Sequence, residues 1–364
     1  MSTNERILSP FTLPNGTELK NRLLMAPMTT CTGYYDGTVT SELVEYYRAR
    51  SGSIGTIIVE CCFVDDLGLA FPGAIGIDND EKIAGLAKIA EAIKSKGSKA
   101  LLQIYHGGRM VDPKLIGGRT PVGPSAVAAP RDGAATPVAL TGEEVEGMIG
   151  KFGEAVRRAI QAGFDGVEIH GANTYLIQQF YSPNSNQRDD EWGGSRDNRA
   201  KFPLAVLDIT HKMVRQYADD AFIIGYRFSP EELEEPGIRF EDTMYLLEKL
   251  AARGVDYLHF SVGATLRPSI VDTQDPTPLI EKYRAMRSDT LAQVPVMGVG
   301  GVVNAADANE ALEHGYDLIA VGRATIAYPD WTDRIAAGET LELFMDLSLI
   351  PISEPTRRRG ISYA

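Results

Sequence analysis

A short motif that occurs three times constrains the fold of this chain more than any other feature. It lies at residues 162–169, 253–260 and 314–321, and each copy reads glycine, one apolar residue, aspartate and then a largely apolar run. Glycine readily takes the left-handed conformation that ends a helix, and a continuous apolar strand suits a parallel sheet buried on both faces. The repeat therefore predicts helix-to-strand connections, and so βα units in series.

Eight βα units can be placed along the chain, which predicts an α/β protein with a single (β/α)8 TIM barrel. We assign the barrel to residues 1–351 as one domain, and we expect residues 352–364 to be a disordered tail foreign to the fold. The predicted strands are residues 22–26, 56–60, 100–104, 166–170, 222–229, 257–262, 296–299 and 318–321. The predicted helices lie near residues 41–50, 81–96, 142–162, 197–217, 240–253, 278–287, 305–314 and 331–337.

Two connections are longer than a barrel requires. Residues 105–140 are rich in glycine and proline, and residues 178–196 are rich in polar side chains. Long loops in compact domains usually cover or bind a ligand. Because both loops follow strands, we expect both at the C-terminal face of the barrel, where active sites of this architecture are built.

The composition excludes several classes of protein. A net charge of −13 disfavours nucleic-acid binding, which needs a basic surface. Two of the three cysteines, Cys61 and Cys62, are adjacent, so they form neither a disulfide framework nor a metal-binding pair. No apolar run is long enough to span a membrane, and the first residues do not resemble a signal peptide. We expect a cytoplasmic protein without a metal site, and we leave a homo-oligomer open.

Glycines follow the last two predicted strands. Gly300 and Gly301 come after the seventh strand, and Gly322 and Arg323 come after the eighth. In TIM barrels these two loops often bind a phosphate group through backbone N–H groups, and an arginine adds charge and a fork of donors. The alternative is a pair of tight turns with a surface arginine.

A polar pair lies within otherwise apolar strands. Gln103 is near the end of the third strand, and Arg227 lies inside the fifth. A buried arginine rarely lacks a partner. The pyrimidine edge of a flavin offers carbonyls and one N–H, and its reduced form carries negative charge that an arginine would stabilise. The alternative is an internal salt bridge between Arg227 and an acidic loop residue.

Three hydrogen-bonding side chains follow the fourth strand: His170, Asn173 and Tyr175. An imidazole and an amide can both donate to one oxygen, and such a pair stabilises negative charge that develops on it. Tyr175 could then deliver a proton as a general acid. The alternative is a histidine satisfied by the backbone, with the tyrosine in the core.

Together these residues resemble the Old Yellow Enzyme family of FMN-dependent ene-reductases and NADH:flavin oxidoreductases. The matching strings are residues 21–29, 103–109, 170–176 and 182–199, in that order. The resemblance implies that Pro27, Met28 and Thr29 line the flavin and that Cys61 lies beside its ring. It also implies that Gln103 and Arg227 bind the pyrimidine of the flavin. The residues implied to hold its phosphate are Gly300, Gly301, Gly322 and Arg323. In the substrate pocket, the resemblance implies that His170 and Asn173 bind a substrate carbonyl and that Tyr175 donates a proton.

The activity that the resemblance implies is reduction of the C=C bond of an α,β-unsaturated carbonyl or a related activated alkene. FMN would be reduced by NADH or NADPH in a ping-pong cycle, with hydride passing from flavin N5 to Cβ and a proton from Tyr175 to Cα. Two alternatives stay open. One is a phosphate-handling lyase or isomerase with Glu60 or Glu168 as base, and the other is a non-catalytic flavin-binding protein.

Overall fold

The computed structural model describes residues 3–343 and contains a closed barrel of parallel strands. The strands are β1 (Phe11–Thr12), β2 (Glu18–Leu19), β3 (Leu23–Met25), β4 (Thr56–Phe63), β5 (Lys99–Tyr105), β6 (Val122–Gly123), β7 (Val138–Ala139), β8 (Gly166–Gly171), β9 (Ile223–Phe228), β10 (Tyr257–Phe260), β11 (Val296–Val299) and β12 (Leu318–Val321). Around the barrel the strand order is β10-β11-β12-β3-β4-β5-β8-β9, so the predicted TIM barrel is confirmed.

Helices surround the barrel, as the repeat predicts. They are α1 (Thr3–Leu8), α2 (Ser41–Arg50), α3 (Ile83–Lys94), α4 (Gly142–Gln161), α5 (Leu176–Tyr181), α6 (Arg196–Tyr217), α7 (Phe240–Ala251), α8 (Leu279–Met286), α9 (Asp289–Ala292), α10 (Ala305–His314), α11 (Arg323–Ala327) and α12 (Trp331–Ala336). Among the residues that the structure describes, none of these helices is long and apolar enough to cross a membrane.

The predicted boundaries agree closely with the structure for β11, β12, α2 and α10. β4 is longer than predicted because it continues through a bulge to Phe63. The short helices α5, α9 and α11 and the small sheets β1–β2 and β6–β7 were not predicted, because elements of a few residues carry little periodic signal. The tail predicted at residues 352–364 lies outside the described residues.

The hairpin of β1 and β2 closes the N-terminal end of the barrel. Leu13 and Leu19 pack in one cluster with barrel-interior side chains such as Leu24. The hydroxyl of Thr17 donates to the carbonyl of Ala221, just before β9. This plug leaves the C-terminal end as the open face of the barrel.

The two long loops meet at that open face, as predicted. Arg109 Nη2 in the first loop donates to Asn184 Oδ1 in the second over 3.1 Å. The backbone N–H of Arg109 donates to Gln179 Oε1 over 3.0 Å. Each loop therefore supports the other beside the ends of β5 and β8.

Gly225 makes room for a tyrosine inside the barrel. It pairs with Tyr257 in the register of β9 and β10, and a Cβ atom at position 225 would overlap the Tyr257 ring. The missing side chain lets the ring cross the interior and bring its hydroxyl to Glu168 Oε2, 3.0 Å away.

We expect Gly225→Ala to destabilise the barrel by about 3 kcal/mol or more, because overpacking a rigid core forces side chains from their rotamers. The matched control is Gly147→Ala on the exposed face of α4, where a Cβ meets nothing within 4 Å. That change should stabilise the protein by up to about 1 kcal/mol through helix propensity. Chemical unfolding would measure both, and equal stability of the two variants would contradict this packing.

Candidate active site

Strand register brings the predicted polar residues to one end of the barrel. Gln103 pairs with Glu168 between β5 and β8, and His170 pairs with Arg227 between β8 and β9. Arg227 also pairs with His259 of β10. These five residues come from four neighbouring strands, and all are buried. The predicted grouping of Gln103, His170 and Arg227 near the active face is therefore what the structure contains.

Glu168 is the centre of a hydrogen-bonded network that the sequence did not reveal. Its Oε1 accepts from Gln103 Nε2 over 2.7 Å, and its Oε2 accepts from the Tyr257 hydroxyl over 3.0 Å. His259 Nδ1 lies 2.9 Å from the same Oε2. Burial raises the pKa of Glu168, but the charges and hydrogen bonds around it outweigh that effect and lower the pKa overall. The group is an ionised carboxylate that can only accept hydrogen bonds.

Arg227 is buried without enough partners. Its side chain is 1% exposed, and neither Nε nor Nη2 has a hydrogen-bond partner. Burial lowers its pKa, while the nearby charge of Glu168 raises it. Within residues 3–343 Arg227 forms no direct ion pair, either with Glu168 or with an acidic loop residue, so the salt bridge considered as an alternative is not formed there. A buried cation with unpaired donors is costly unless a ligand supplies acceptors.

His170 is a neutral donor. Its pKa is well below the usual value because it is buried and because Arg227 and His259 are close. Its Nδ1 accepts from the backbone N–H of Ala172 over 3.3 Å. A neutral imidazole that accepts at Nδ1 carries its proton on Nε2. The strand end therefore fixes the tautomer and leaves Nε2–H as the donor.

Two serines hold Asn173 in place. Its backbone is left-handed, with φ of 56°, and its N–H donates to Ser229 Oγ over 2.9 Å. Its Oδ1 accepts from Ser261 Oγ over 2.6 Å. Since the oxygen of the amide is occupied, the NH2 group is left to donate. The serines follow β9 and β10, and the Phe-Ser pair that ends both strands is a sequence signal that could have identified them.

Tyr175 belongs to an aromatic wall. Its ring lies 5.0 Å from His170, 5.3 Å from Tyr105 and 6.2 Å from Phe71, between ring centroids, and all three contacts are edge-on. Burial raises its pKa, so the phenol stays protonated at neutral pH. Cys61 packs in the same cluster. The wall joins one protonated phenol to otherwise apolar or neutral groups.

The segment after β3 lies against this cluster. Thr29 Oγ1 is 3.5 Å from Cys61 Sγ. Burial raises the pKa of Cys61 to about 12, so the thiol is not ionised. Pro27 is buried, and a Cβ at Gly322 would lie 3.4 Å from Met28 Sδ. The structure thus joins the predicted flavin-lining residues to the predicted phosphate loops.

The two glycine loops are neighbours because β11 pairs with β12, Val299 opposite Ala320. Gly300 has φ of 104°, and a Cβ there would come within 2.6 Å of the Gly263 backbone, so only glycine fits. Gly301 is also left-handed, with φ of 77°. Gly322 precedes α11, and Arg323 begins it with an exposed side chain. The phosphate role of these residues stays a prediction.

The fold and this site define a TIM-barrel protein with a buried, partly unpaired arginine among polar side chains at its C-terminal face. Residues 6–342 match the family described as the NADH:flavin oxidoreductase / NADH oxidase family. The chain belongs to this family. It is also similar to the solved structure of an Old Yellow Enzyme homologue from Zymomonas mobilis, with a TM-score of 0.79, 27% identity, and coverage of 94% of this chain and 95% of that one. The resemblance inferred from the sequence is confirmed.

Two curated relatives are longer than this chain. An NADH:fumarate oxidoreductase of Klebsiella pneumoniae (strain 342) is 88% identical over 95% of the chain, and an NADH:acrylate oxidoreductase of Vibrio harveyi is 56% identical over 94%. The matches cover 37% and 34% of those proteins, so the chain spans about a third of their length.

FMN is the cofactor of this family, and the described residues fit it. The unpaired nitrogens of Arg227 can donate hydrogen bonds to acceptors such as the carbonyl oxygens of a flavin's pyrimidine ring. Gln103 turns its amide oxygen away from Glu168 and can take an N–H. At Gly301 a Cβ atom would meet nothing within 4 Å, and such open backbone suits a phosphate. We therefore expect Gln103 and Arg227 to hold the pyrimidine, and Gly300, Gly301, Gly322 and Arg323 to hold the phosphate.

The support of Asn173 by Ser261 leads to a prediction. Phenols mimic an enolate and should accept hydrogen bonds from His170 and Asn173. We expect Ser261→Ala to weaken phenol binding about tenfold, which equals the loss of about 1.4 kcal/mol, or one hydrogen bond. Optical titration of the flavin would measure the dissociation constant.

Two further variants make this test specific. Ser261→Thr keeps the hydroxyl and should bind phenol like the wild type. Ser95→Ala removes a hydroxyl that bonds to the Ala92 carbonyl near the end of α3, and should have no effect on phenol. Unchanged phenol affinity in Ser261→Ala would exclude this serine as the group that orients Asn173.

Proposed function

We propose that this chain is an FMN-dependent oxidoreductase that oxidises NADH or NADPH and reduces the C=C bond of an activated alkene in the same pocket. The observation that carries the proposal is the pair of oriented donors, His170 Nε2–H and the Asn173 amide, beside the protonated phenol of Tyr175. When bound, FMN supplies the hydride chemistry. The residues of the chain must then bind an oxygen, stabilise its charge and provide a proton.

The donor pair suits a carbonyl conjugated to the alkene. Both donors are neutral, so they stabilise negative charge that grows on the oxygen without binding an anion tightly beforehand. Their direction is set by the backbone of Ala172 and by Ser261 and therefore needs little reorganisation. Catalysis of this kind depends on donors placed before the charge develops.

Tyr175 is the proposed proton donor. Its raised pKa keeps the proton on the phenol until a strongly basic carbon develops beside it. The aromatic wall formed with Phe71 and Tyr105 limits water at this point. The proton would go from Tyr175 Oη to Cα, while the oxygen stays on His170 and Asn173.

The relatives named for fumarate and acrylate support an alkene conjugated to a carboxyl group as the final acceptor. The same comparison favours a second candidate, because two thirds of each relative lies outside this chain. The aromatic wall and the neutral His170 carry no positive charge of their own for an anion such as fumarate, although the charges of Arg131 and Arg227 act on Tyr175. In the second candidate, this chain oxidises NADH and passes the electrons to an acceptor site elsewhere in a longer protein.

The lyase or isomerase alternative has less support. Glu168 already accepts from Gln103 and Tyr257 and contacts His259, so it is a poor base. Glu60 is buried, its pKa is raised to about 7 by burial, and its carboxylate accepts from the backbone N–H of Thr30 over 2.6 Å. Both carboxyl groups are held by the protein rather than directed at a substrate.

Tyr175→Phe separates the two half-reactions. We expect reduction of the flavin by NADH to be nearly unchanged, because that step needs no proton from Tyr175. Reoxidation by an enone should slow about 100-fold or more, as the loss of a general acid predicts. Anaerobic stopped-flow absorbance of the flavin would measure both rates. Equal slowing of the two half-reactions would argue against Tyr175 as the proton donor.

The wild type distinguishes the proposed functions. The reduced protein would be mixed with cyclohexenone, acrylate and fumarate, with ferricyanide as a control acceptor. Rapid reoxidation by an alkene supports reduction in this pocket. Reoxidation by ferricyanide alone supports the second candidate. If NADH and NADPH both fail to bleach the flavin, both are wrong and the non-catalytic flavin protein is favoured.

A further inference from the structure

Glu168 is a buried charge that the proposed reaction does not use. Its carboxylate lies inside the barrel, is fully buried, and accepts from Gln103 and Tyr257 and contacts His259. Burying a carboxylate is costly unless its hydrogen bonds are satisfied, and the neighbours of Glu168 provide them. Two of its neighbours, Gln103 and Arg227, are the residues expected to contact the flavin.

The first consequence concerns the direction of the Gln103 amide. An ionised carboxylate has no proton to donate, so the group that faces Glu168 Oε1 must be the NH2 of Gln103. The amide oxygen then points to the other side. A flavin's pyrimidine ring has one N–H between two carbonyls, and an acceptor oxygen complements that N–H. Glu168 therefore decides whether position 103 offers an acceptor or a donor.

The second consequence concerns charge. Arg227 is buried with Nε and Nη2 unpaired, and the charge of Glu168 acts on it without a direct ion pair. Two opposite charges that lie near each other partly cancel each other's field at a third group, and the low dielectric constant of the interior makes both fields strong. A ligand that contacts Arg227 thus meets a cation whose field is reduced by the carboxylate behind it.

We propose that Glu168 is a positioning residue of the flavin site, which fixes the acceptor face of Gln103 and reduces the positive field of Arg227 on the flavin. Reduced flavin is more negative than oxidised flavin, so this reduction of the field lowers the reduction potential. The proposal rests on FMN binding and not on the alkene acceptor. It gives the chain a means of keeping the flavin a strong reductant beside a buried arginine.

The test is Glu168→Gln in the holoprotein. The amide oxygen of the new glutamine would accept from Tyr257 and His259, so the NH2 group of that glutamine would face Gln103. The Gln103 amide would then have to turn its oxygen toward position 168. Removing the carboxylate also leaves the charge of Arg227 without a nearby negative charge to offset it. We expect the midpoint potential of FMN to rise by about 30 mV, which is a tenfold stronger preference for reduced flavin in a two-electron couple. Sulfite, whose adduct places negative charge on the ring, should bind about tenfold more tightly for the same reason.

Two variants control the experiment. Asp256→Asn removes a buried carboxylate that accepts from the Ile224 backbone just before β10, at the opposite end of the barrel, and should leave the potential unchanged. Gln103→Glu combined with Glu168→Gln moves the charge to position 103 and restores an acceptor there. The potential of this double variant should return to the wild-type value or fall below it.

A milder change covers the case in which Glu168→Gln does not fold. Tyr257→Phe removes one donor from the carboxylate, which leaves its charge less satisfied and its field on the flavin stronger, so the potential should fall. An unchanged potential and sulfite affinity in folded Glu168→Gln would overturn the proposal. If that variant does not fold, an unchanged potential in Tyr257→Phe would overturn it.

These measurements need neither NADH nor an alkene, because dithionite or a dye-coupled reductant sets the redox state. A normal shift of potential together with no turnover would therefore refute the proposed function while leaving the role of Glu168 intact. An unchanged potential together with normal turnover would refute the role of Glu168 while leaving the proposed function intact.

Discussion

The site depends on one constraint, a guanidinium buried inside a closed barrel. Arg227 is 1% exposed and has two nitrogens without hydrogen-bond partners, while the charge of Glu168 is near enough to raise the pKa of Arg227. A buried cation must be stabilised by hydrogen-bond acceptors or by an opposite charge. Glu168 compensates the charge of Arg227, and the unpaired nitrogens are left to bond to a ligand. That division explains why the interior of the barrel is polar at its C-terminal end and apolar at the end closed by the β1–β2 hairpin.

The same logic runs through the rest of the site, where each polar group is oriented by a neighbour that is not expected to react. Glu168 directs Gln103, the backbone of Ala172 directs His170, and Ser261 directs Asn173. Orienting groups of this kind reduce the reorganisation that binding and reaction would otherwise require. The site therefore consists of side chains that we propose to contact flavin and substrate, and of neighbours that hold those side chains in place.

Much of the fold was predictable because its signals are local. The glycine at each helix end and the apolar strand after it identified the βα units, and the boundaries of β11, β12, α2 and α10 followed closely. The strand ends also located Gln103, His170, Asn173, Tyr175 and Arg227 on the active face. The small sheets and the short helices escaped because two to six residues show no reliable period.

The sequence by itself determined the barrel, the family and the types of side chain at the ends of its strands, since these depend on short-range patterns and matching strings. Only the tertiary structure decided how those side chains are oriented. The bond from Gln103 to Glu168 joins residues 65 positions apart, and that from Ser261 to Asn173 joins residues 88 apart. Such contacts depend on the register in which neighbouring strands pair, and that register is a relation between two segments rather than a property of either one. For this reason only the tertiary structure shows that Glu168 orients Gln103 and that Ser229 and Ser261 hold Asn173.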